Sequence, residues 1–180
     1  QNCSSNTGGA HTGEVSAVSL EKIGCTYVLL GHSERRQLGE TDTMIGEKLK
    51  AVLKETKMTP LVCIGESAQE KKSGKTSAVL TRQVTAVFSA AANYKEASRI
   101  IIAYEPLWAI GSGKPLTLEA FGGILASLAS VLPTSAHVLY GGSVDEKNIR
   151  AFVDCTDGVL IGAASQTRPS LISLLKKLAL

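Results

Sequence analysis

The chain has 180 residues, 44% of them apolar, which is enough for one globular domain with a hydrophobic core. Its 19 basic and 16 acidic residues give a net charge of +3 with no long basic run, so we expect no nucleic-acid partner. No apolar run approaches the roughly 20 residues of a membrane span, and no basic and apolar leader opens the sequence. We therefore expect a soluble, cytoplasmic protein with no membrane partner.

The four cysteines, Cys3, Cys25, Cys63 and Cys155, are widely separated along the chain. They have neither the spacing of metal ligands nor the density of a secreted disulfide scaffold. We therefore predict no metal site. Cys63 lies inside a predicted strand, where we expect it to pack as a small hydrophobic side chain.

Strands and helices are predicted to alternate along the chain. Short apolar runs predict strands at residues 27–30, 61–64, 100–104, 137–140 and 158–161. Helical patterns lie between and around them, at residues 16–23, 43–57, 77–92, 117–131, 145–153 and 169–178. This alternation predicts an α/β fold with one parallel sheet covered by helices. No linker divides the series, so residues 1–180 are expected to form one domain.

Two of the predicted helix starts carry capping signals. Thr117 can cap the helix at 117–131, but Ala120 stands three residues later, so no capping box is possible there. Ser143 lies three residues before Glu146 and fits the capping-box pattern for the helix at 145–153.

Glycine or an acidic residue follows each predicted strand directly. The five residues are Gly31, Gly65, Glu105, Gly141 and Gly162. In a parallel βα array these positions gather on one rim, which is where barrels of this class hold their active sites. The five loops are therefore the candidate functional region.

Glu105 stands at the carboxyl end of an apolar, β-branched strand, where partial loss of water makes a carboxylate a stronger base. Pro106 stiffens the entry to the segment at 106–114, in which Gly111 and Gly113 bracket a serine. That composition suits a lid that pivots at its ends and closes over a ligand. Taken alone, a solvated acid before an ordinary loop is the commoner arrangement.

His32 follows the first strand, and its ring can point into the same cavity as Glu105. By itself, a histidine at such a position is more often a hydrogen-bonded structural residue. The residues after it include Arg35, which we expect on a solvated face.

Two glycine turns near the end of the chain offer backbone N–H groups to an anion. One is Gly141-Gly142-Ser143, and the other is Gly162-Ala163. A single turn of this kind is a weak signal, but the pair fits the phosphate cup of a barrel.

These segments resemble one known family. AYEPLWAIGSGK at residues 103–114 closely resembles the base-and-lid segment of triosephosphate isomerases, and GHSERR (31–36), YGGS (140–143) and QNC (1–3) resemble other motifs of that family in the same order. The resemblance runs along nearly the whole chain. It implies an incomplete (β/α)8 TIM barrel with strands 4 to 8 and the end of strand 3. The implied reaction interconverts glyceraldehyde 3-phosphate and dihydroxyacetone phosphate in glycolysis and gluconeogenesis.

The resemblance also implies roles for single residues. Glu105 would be the catalytic base, and His32 a neutral imidazole that donates a hydrogen bond to the substrate oxygens. Ser33 would help to fix the helix-end environment of His32, and Glu34 would pair near a catalytic lysine. The implied phosphate ligands are the N–H groups of Gly111, Ser143, Gly162 and Ala163. No metal or organic cofactor is implied.

Residues 1–14 resemble the third loop of the family, with Thr12 at its tip. In the family this loop reaches across a two-fold axis into the partner of a homodimer. Composition alone favours a flexible, Gly-rich N-terminus instead, because residues 4–9 have little to bury.

Three departures from the family pattern bear on function. A complete barrel takes about 250 residues, about 70 more than this chain, and the shortage falls at the N-terminus, where the family's catalytic lysine and asparagine would lie. Ala163 stands where the family usually has glycine, and residues 37–40 form a loop one residue shorter. Two rival interpretations follow, namely a non-catalytic barrel that binds phosphate ligands and an inactive fragment.

Overall fold

A computed structural model describes residues 1–113 and 115–178 of the chain. Within these residues, five strands form one sheet: β1 (Tyr27–Leu30), β2 (Thr59–Ile64), β3 (Ile101–Tyr104), β4 (His137–Tyr140) and β5 (Gly158–Val159). The strands pair in chain order, and every pair is parallel. The predicted α/β class with a parallel, barrel-type strand order is therefore confirmed.

Helices connect successive strands and cover the sheet. The α-helices in the same residues are α1 (Ala17–Lys22), α2 (Ser33–Gln37), α3 (Asp42–Glu55), α4 (Ala68–Lys72), α5 (Thr76–Ala91), α6 (Leu118–Ala129), α7 (Ile149–Val153) and α8 (Arg168–Leu178). Short 3-10 turns lie at Lys95–Arg99 and Ala163–Ser165. None of the helices within 1–113 and 115–178 combines the length and the apolar character that crossing a bilayer requires.

The strand predictions hold, with small shifts at the ends. β1 and β4 have the predicted bounds, β2 begins two residues earlier, and β3 begins one residue later. β5 ends at Val159 instead of residue 161. The reason is its neighbour, because β4 ends at Tyr140 and the N–H of Leu160 donates to the Tyr140 carbonyl at 2.8 Å. Beyond that bond the chain turns away.

Five of the six predicted helices end within one or two residues of their predicted bounds. Thr117 caps α6 as predicted, since its Oγ1 accepts the N–H of Ala120 at 3.2 Å. The helix predicted at 145–153 is wrong at its start, because α7 begins at Ile149. Asp145 Oδ1 accepts the N–H groups of Lys147 and Asn148 at 2.8 and 3.1 Å, so these residues form a turn before the helix.

The capping box predicted at Ser143 is also absent. Ser143 has φ +44°, a left-handed conformation that differs from the extended backbone of an N-cap residue. Its Oγ donates to the carbonyl of Ala109 in the lid segment. The side chain therefore joins two loops of the rim instead of starting a helix.

The core lies between the middle of the sheet and the helices α3 and α5. It is lined by fully buried apolar side chains, among them Leu49, Val52, Val62, Leu80, Val84 and Ile102. The outer side of β1 meets only the first residues of the chain, where the N–H of Leu29 donates to the Gln1 carbonyl at 3.1 Å. β5 pairs with β4 alone. Across residues 1–113 and 115–178, the sheet is thus largely open at β1 and open at β5.

Candidate active site

The carboxyl ends of β2, β3 and β4 lie side by side because the backbone ladder continues one residue past the strands. The N–H of Glu105 donates to the Ile64 carbonyl at 2.7 Å, and the N–H of Gly141 donates to the Tyr104 carbonyl at 2.8 Å. The predicted rim therefore exists, and Glu105 lies in its centre.

Glu105 is almost fully buried, and both of its carboxylate oxygens have partners. Oε1 lies 2.9 Å from Nε2 of His32, and Oε2 accepts the backbone N–H of Ser33 at 3.0 Å. Both partners come from the segment that follows β1, two strands away from β3. The fold thus brings together the candidate base and the candidate hydrogen-bond donor that the sequence predicted, although they are 73 residues apart (105 − 32).

His32 is the N-cap of α2, and this position fixes its ring. Its Nδ1 accepts the N–H of Glu34 at 3.3 Å, so in this contact Nδ1 carries no proton and Nε2 is the protonated nitrogen. The hydrogen bond with Glu105 raises the pKa of His32. The backbone N–H of Glu34 favours the neutral ring, because it donates to an unprotonated Nδ1, whereas the carboxylate of Glu105 favours the charged ring. The charge of His32 therefore depends on whether Nε2 faces this carboxylate or another group.

The two supporting residues differ in burial. Ser33 is buried, and its Oγ has no hydrogen-bond partner among the residues that the structure describes. Glu34 keeps its carboxylate in solvent, with 78% of the side chain exposed and Oε2 at 3.8 Å from Nδ1 of His32. Ser33 therefore belongs to the wall of the site, whereas Glu34 lies at its margin.

Cys63 packs beneath Glu105. The side chain is buried, as predicted. Burial and then the charge of Glu105 raise the pKa of Cys63 well above its ordinary value, so the thiol stays neutral. Cys63 therefore places an uncharged side chain beneath Glu105.

The start of the lid segment is held by the buried carboxylate of Glu66, which follows Gly65 on the rim. Glu66 accepts hydrogen bonds from the hydroxyl of Tyr104 at 3.1 Å and from Nε1 of Trp108 at 2.9 Å. Its backbone carbonyl accepts the N–H of Leu107 at 3.0 Å. Burial raises the pKa of Tyr104, so this hydroxyl remains a donor. The first turn of the lid is therefore attached to the end of β2.

The rest of the lid has left-handed glycines and a second attachment. Gly111 and Gly113 have φ +63° and +65°, conformations that favour glycine. The N–H of Leu116 donates to the hydroxyl of Tyr140 at 3.1 Å. The predicted lid ended at Lys114, which lies outside the described residues. Residues 106–113 thus form a segment that is held by side-chain contacts at its start and followed by a second attachment at Leu116.

The residues predicted to bind phosphate lie on three neighbouring loops. Gly111 is exposed in the lid, and half-buried Ser143 is joined to the lid through the Ala109 carbonyl. Gly162 and Ala163 follow β5 at the start of a 3-10 turn and are exposed. Ser143 is the one non-glycine residue with a positive φ in the described chain, so the methyl group of Ala163 imposes no left-handed strain.

Thr12 lies on an exposed loop, since residues 5–15 are all accessible to solvent. The base of the loop is closed by a hydrogen bond from the N–H of Ser4 to the Val15 carbonyl at 2.8 Å. The tip turns through Gly13 at φ +89°. The loop therefore stands out from the body of the protein.

Arg35 keeps 37% of its side chain exposed, in line with the predicted solvated face, and it also pairs with a buried acid. Its Nε donates to Oε1 of Glu40 at 2.7 Å, and Lys48 binds the same oxygen while also donating to Oδ1 of Asn2 at 3.0 Å. Burial by itself would raise the pKa of Glu40, but the hydrogen bonds from Lys48 and Arg35 outweigh it, so this pKa is lowered. The loop at 37–40 thus ends in a buried carboxylate that links α2 to α3.

Comparison with known proteins agrees with this arrangement. A family model described as Triosephosphate isomerase matches residues 1–178. The chain belongs to the triosephosphate isomerase family. Over 176 residues it is 45% identical to the triosephosphate isomerase of Cupriavidus necator, a match that covers 92% of this chain and 71% of that relative. It is 40% identical over 178 residues to that of Mycoplasmopsis pulmonis, covering 97% of this chain and 70% of the relative.

Within this triosephosphate isomerase family member, the structure adds three groups to those predicted. They are the backbone N–H of Ser33, the carboxylate of Glu66 and the hydroxyl of Tyr140. Glu66 gave a sequence signal, since it is an acidic residue directly after an apolar strand and a glycine. The other two act through contacts between segments far apart in the chain, which residue type alone does not reveal.

Proposed function

We propose that this chain, once its barrel is completed as in its relatives, interconverts glyceraldehyde 3-phosphate and dihydroxyacetone phosphate, with Glu105 as the base and His32 as the hydrogen-bond donor. The observation that supports it best is the 2.9 Å contact between Oε1 of Glu105 and Nε2 of His32 at the ends of strands. Because the two groups touch, a triose has to replace this contact when it binds, so that a C–H bond faces the carboxylate and the carbonyl oxygen faces the imidazole N–H. Proton abstraction next to a carbonyl requires a base and a donor on the same side of the site, and the contact shows that these two groups converge there.

The reaction proceeds through an enediolate. Glu105 takes the proton from the carbon next to the carbonyl, and the electron pair of that C–H bond moves toward the carbonyl oxygen. The N–H of His32 donates to the oxygens on which charge develops. Glu105 then returns the proton to the neighbouring carbon, and the hydroxyl proton passes from the C2 oxygen to the C1 oxygen, which faces the N–H of His32. The aldose thus becomes the ketose with no net gain or loss of atoms.

The phosphate is bound by backbone N–H groups on the other loops. We assign this role to Gly111, Ser143, Gly162 and Ala163, supported by the hydrogen bond that joins Ser143 to the lid at Ala109. Closure of residues 106–113 over the bound phosphate keeps water out. It also holds the phosphate in the plane of the enediolate, which suppresses its elimination.

We further propose a homodimer in which the exposed loop at 5–15 inserts into the partner, with Thr12 near the partner's site. The full exposure of this loop supports the proposal. An inserted loop buries its polar tip against another chain instead of leaving it in solvent.

A second candidate function is non-catalytic binding of phosphate ligands. It is favoured by one observation, namely that no lysine hydrogen-bonds or ion-pairs with His32 or Glu105 within residues 1–113 and 115–178. Lys48, the buried lysine nearest in sequence to His32, is engaged by Glu40. Without a cation beside the reacting oxygens, charge development in the enediolate is less well stabilised.

The test uses the chain in two forms, because the open sheet edges are templates for aggregation. One form is residues 1–180 alone. The other, called the chimera below, joins to these residues the part of the Cupriavidus necator relative that lies outside the match. We expect the chain alone to be poorly soluble and to show no measurable isomerase activity, and the chimera to be monodisperse and active.

The two candidate functions are separated by measuring coupled isomerase activity together with the binding of a phosphorylated enediolate mimic. Turnover with tight binding of the mimic supports the proposed isomerase. Binding without turnover supports the phosphate-binding alternative. A chimera that folds but neither binds nor turns over contradicts both.

A further inference from the structure

A polar side chain lies in the core beneath the site and takes no part in the proposed chemistry. Gln83 on α5 is only 3% exposed. It stands in an apolar stripe of that helix with Val79, Leu80, Val84 and Val87, all of them buried. A buried amide is retained in such a stripe only where its hydrogen bonds are satisfied.

Gln83 satisfies both of its hydrogen-bonding groups on one residue, Gly65. Its Oε1 accepts the N–H of Gly65 at 2.8 Å, and its Nε2 donates to the carbonyl of Gly65 at 3.2 Å. Gly65 is the first residue after β2, and the carbonyls on either side of it, those of Ile64 and Glu66, accept the N–H groups of Glu105 and Leu107. The amide of Gln83 bonds the N–H and the carbonyl of Gly65 itself, as a neighbouring strand would.

Gly65 in turn touches the backbone of the base. A Cβ added at Gly65 would lie 2.1 Å from the carbonyl oxygen of Glu105 and 3.0 Å from the nitrogen of Pro106. Only glycine permits this approach. The next residue, Glu66, holds Trp108 at the start of the lid. The position of Gly65 consequently sets the position of Glu105 and of the lid together.

We propose that Gln83 is a positioning residue for Glu105, acting through the backbone of Gly65. The proposal rests on the proposed role of Glu105 as the base. Gln83 touches no substrate. Its effect is to hold the end of β2 in the one position that leaves the carboxylate facing the reacting carbon, where a displacement of about 1 Å can cost roughly 10²-fold in rate.

Two substitutions separate positioning from packing. Gln83→Met keeps a similar volume but removes both hydrogen bonds. Gln83→Glu keeps the shape, and its protonated form can still accept from the N–H and donate to the carbonyl of Gly65, whereas its ionised form cannot donate. Leu80→Ala is the matched control, since it leaves a cavity on the same buried face of α5 without touching Gly65.

In the chimera, we expect Gln83→Met to lower kcat about tenfold or more while KM stays within a factor of about two. Gln83→Glu is expected to lose kcat at pH 8 and regain it at pH 6, each value taken relative to the unaltered protein at the same pH. Leu80→Ala is expected to lower the melting temperature at least as much as Gln83→Met and to keep kcat.

A second readout does not depend on activity. Trp108 is the only tryptophan in the chain, and its indole N–H binds Glu66 next to Gly65. We expect its fluorescence emission to shift in Gln83→Met and to stay unchanged in Leu80→Ala. An inactive unaltered chimera would refute the proposed isomerase, and the emission comparison would still decide the role of Gln83.

The proposal is overturned if Gln83→Met keeps both kcat and emission, or if Leu80→Ala loses as much kcat as Gln83→Met. If Gln83→Met fails to fold, the pH dependence of kcat in Gln83→Glu tests the proposal instead. A ratio of its kcat to that of the unaltered chimera that is the same at pH 6 and pH 8 also overturns the proposal.

Discussion

The residues proposed for proton transfer and those proposed for anion binding lie on two halves of the rim that are built in different ways. The side chains of His32 and Glu105 follow β1 and β3, and they are held by their mutual contact and by the N–H of Ser33, with little exposure to solvent. Gly111 and Gly162 are backbone positions on exposed loops. The first half depends on buried side-chain contacts, and the second half depends on loop conformation.

This difference indicates how each half responds to substitution. A buried side-chain contact is lost when either partner changes, and the remaining group is left without a partner in the core. A backbone N–H remains when the side chain changes, provided that the new residue accepts the same φ. Ala163 illustrates this, since it occupies a position without left-handed φ.

The largest expected effect is on the side-chain half. His32→Ala removes the donor to the enediolate oxygens, and in the chimera kcat is expected to fall about 10²-fold to 10³-fold. Steady-state kinetics and thermal unfolding measure it together. A lowered melting temperature with an unaltered rate would instead make His32 a packing residue.

The next effect concerns the buried ions that hold this half in place. Glu40→Gln leaves buried Lys48 without its charge partner, and we expect a loss of about 3 kcal/mol in the free energy of unfolding at pH 7. The pKa of Glu40 is lowered in the folded protein, so its stabilisation is present above the ordinary value of 4.5 and is lost as pH falls through the folded pKa. The difference in the free energy of unfolding between Glu40→Gln and the unaltered chimera is therefore expected to become smaller below pH 4.5.

Urea unfolding at pH 7 and at a pH near 3 tests the effect of Glu40→Gln. Glu47→Gln is the control, because Glu47 forms an ion pair with Lys50 at the surface, and exposed pairs of this kind contribute little to stability. The proposed role of the buried Glu40 would be contradicted if both variants lost the same free energy of unfolding. It would also be contradicted if the loss in Glu40→Gln were the same at both pH values.

The smallest effect is expected on the backbone half. Ala163→Gly removes one methyl group near the proposed anion site and keeps the N–H, so we expect KM to fall by less than about threefold with kcat unchanged. The same kinetic assay measures it. A change in kcat of tenfold or more would show that the two halves are not independent.

The sequence predicted those parts of the fold and site that depend on local pattern. The bounds of β1 and β4 and the cap at Thr117 follow from short apolar runs and one hydroxyl. His32 and Glu105 were found because their segments resemble a family. The parallel sheet followed from the alternation of strand and helix, and its barrel arrangement was implied by the family resemblance.

Other features depend on contacts between distant segments, and the sequence did not predict them. Gln83 looks like an interruption of an apolar helix face until Gly65 is seen opposite it. Ser143 fits the sequence pattern of a capping box, but in the structure its hydroxyl donates to the Ala109 carbonyl instead. Arg35 is solvated as predicted, but its ion pair with buried Glu40 was not predicted. For Gln83 and Ser143, a tertiary hydrogen bond overrides the local pattern.

The central claim is that Glu105 moves the proton, and solvent exchange tests it most directly. Dihydroxyacetone phosphate is incubated in D₂O with the chimera, and deuterium at C1 is followed by NMR. We expect the unaltered chimera to exchange this hydrogen and Glu105→Asp to do so about 10²-fold more slowly while still binding the phosphorylated enediolate mimic. An exchange rate in Glu105→Asp equal to that of the unaltered chimera would contradict the account.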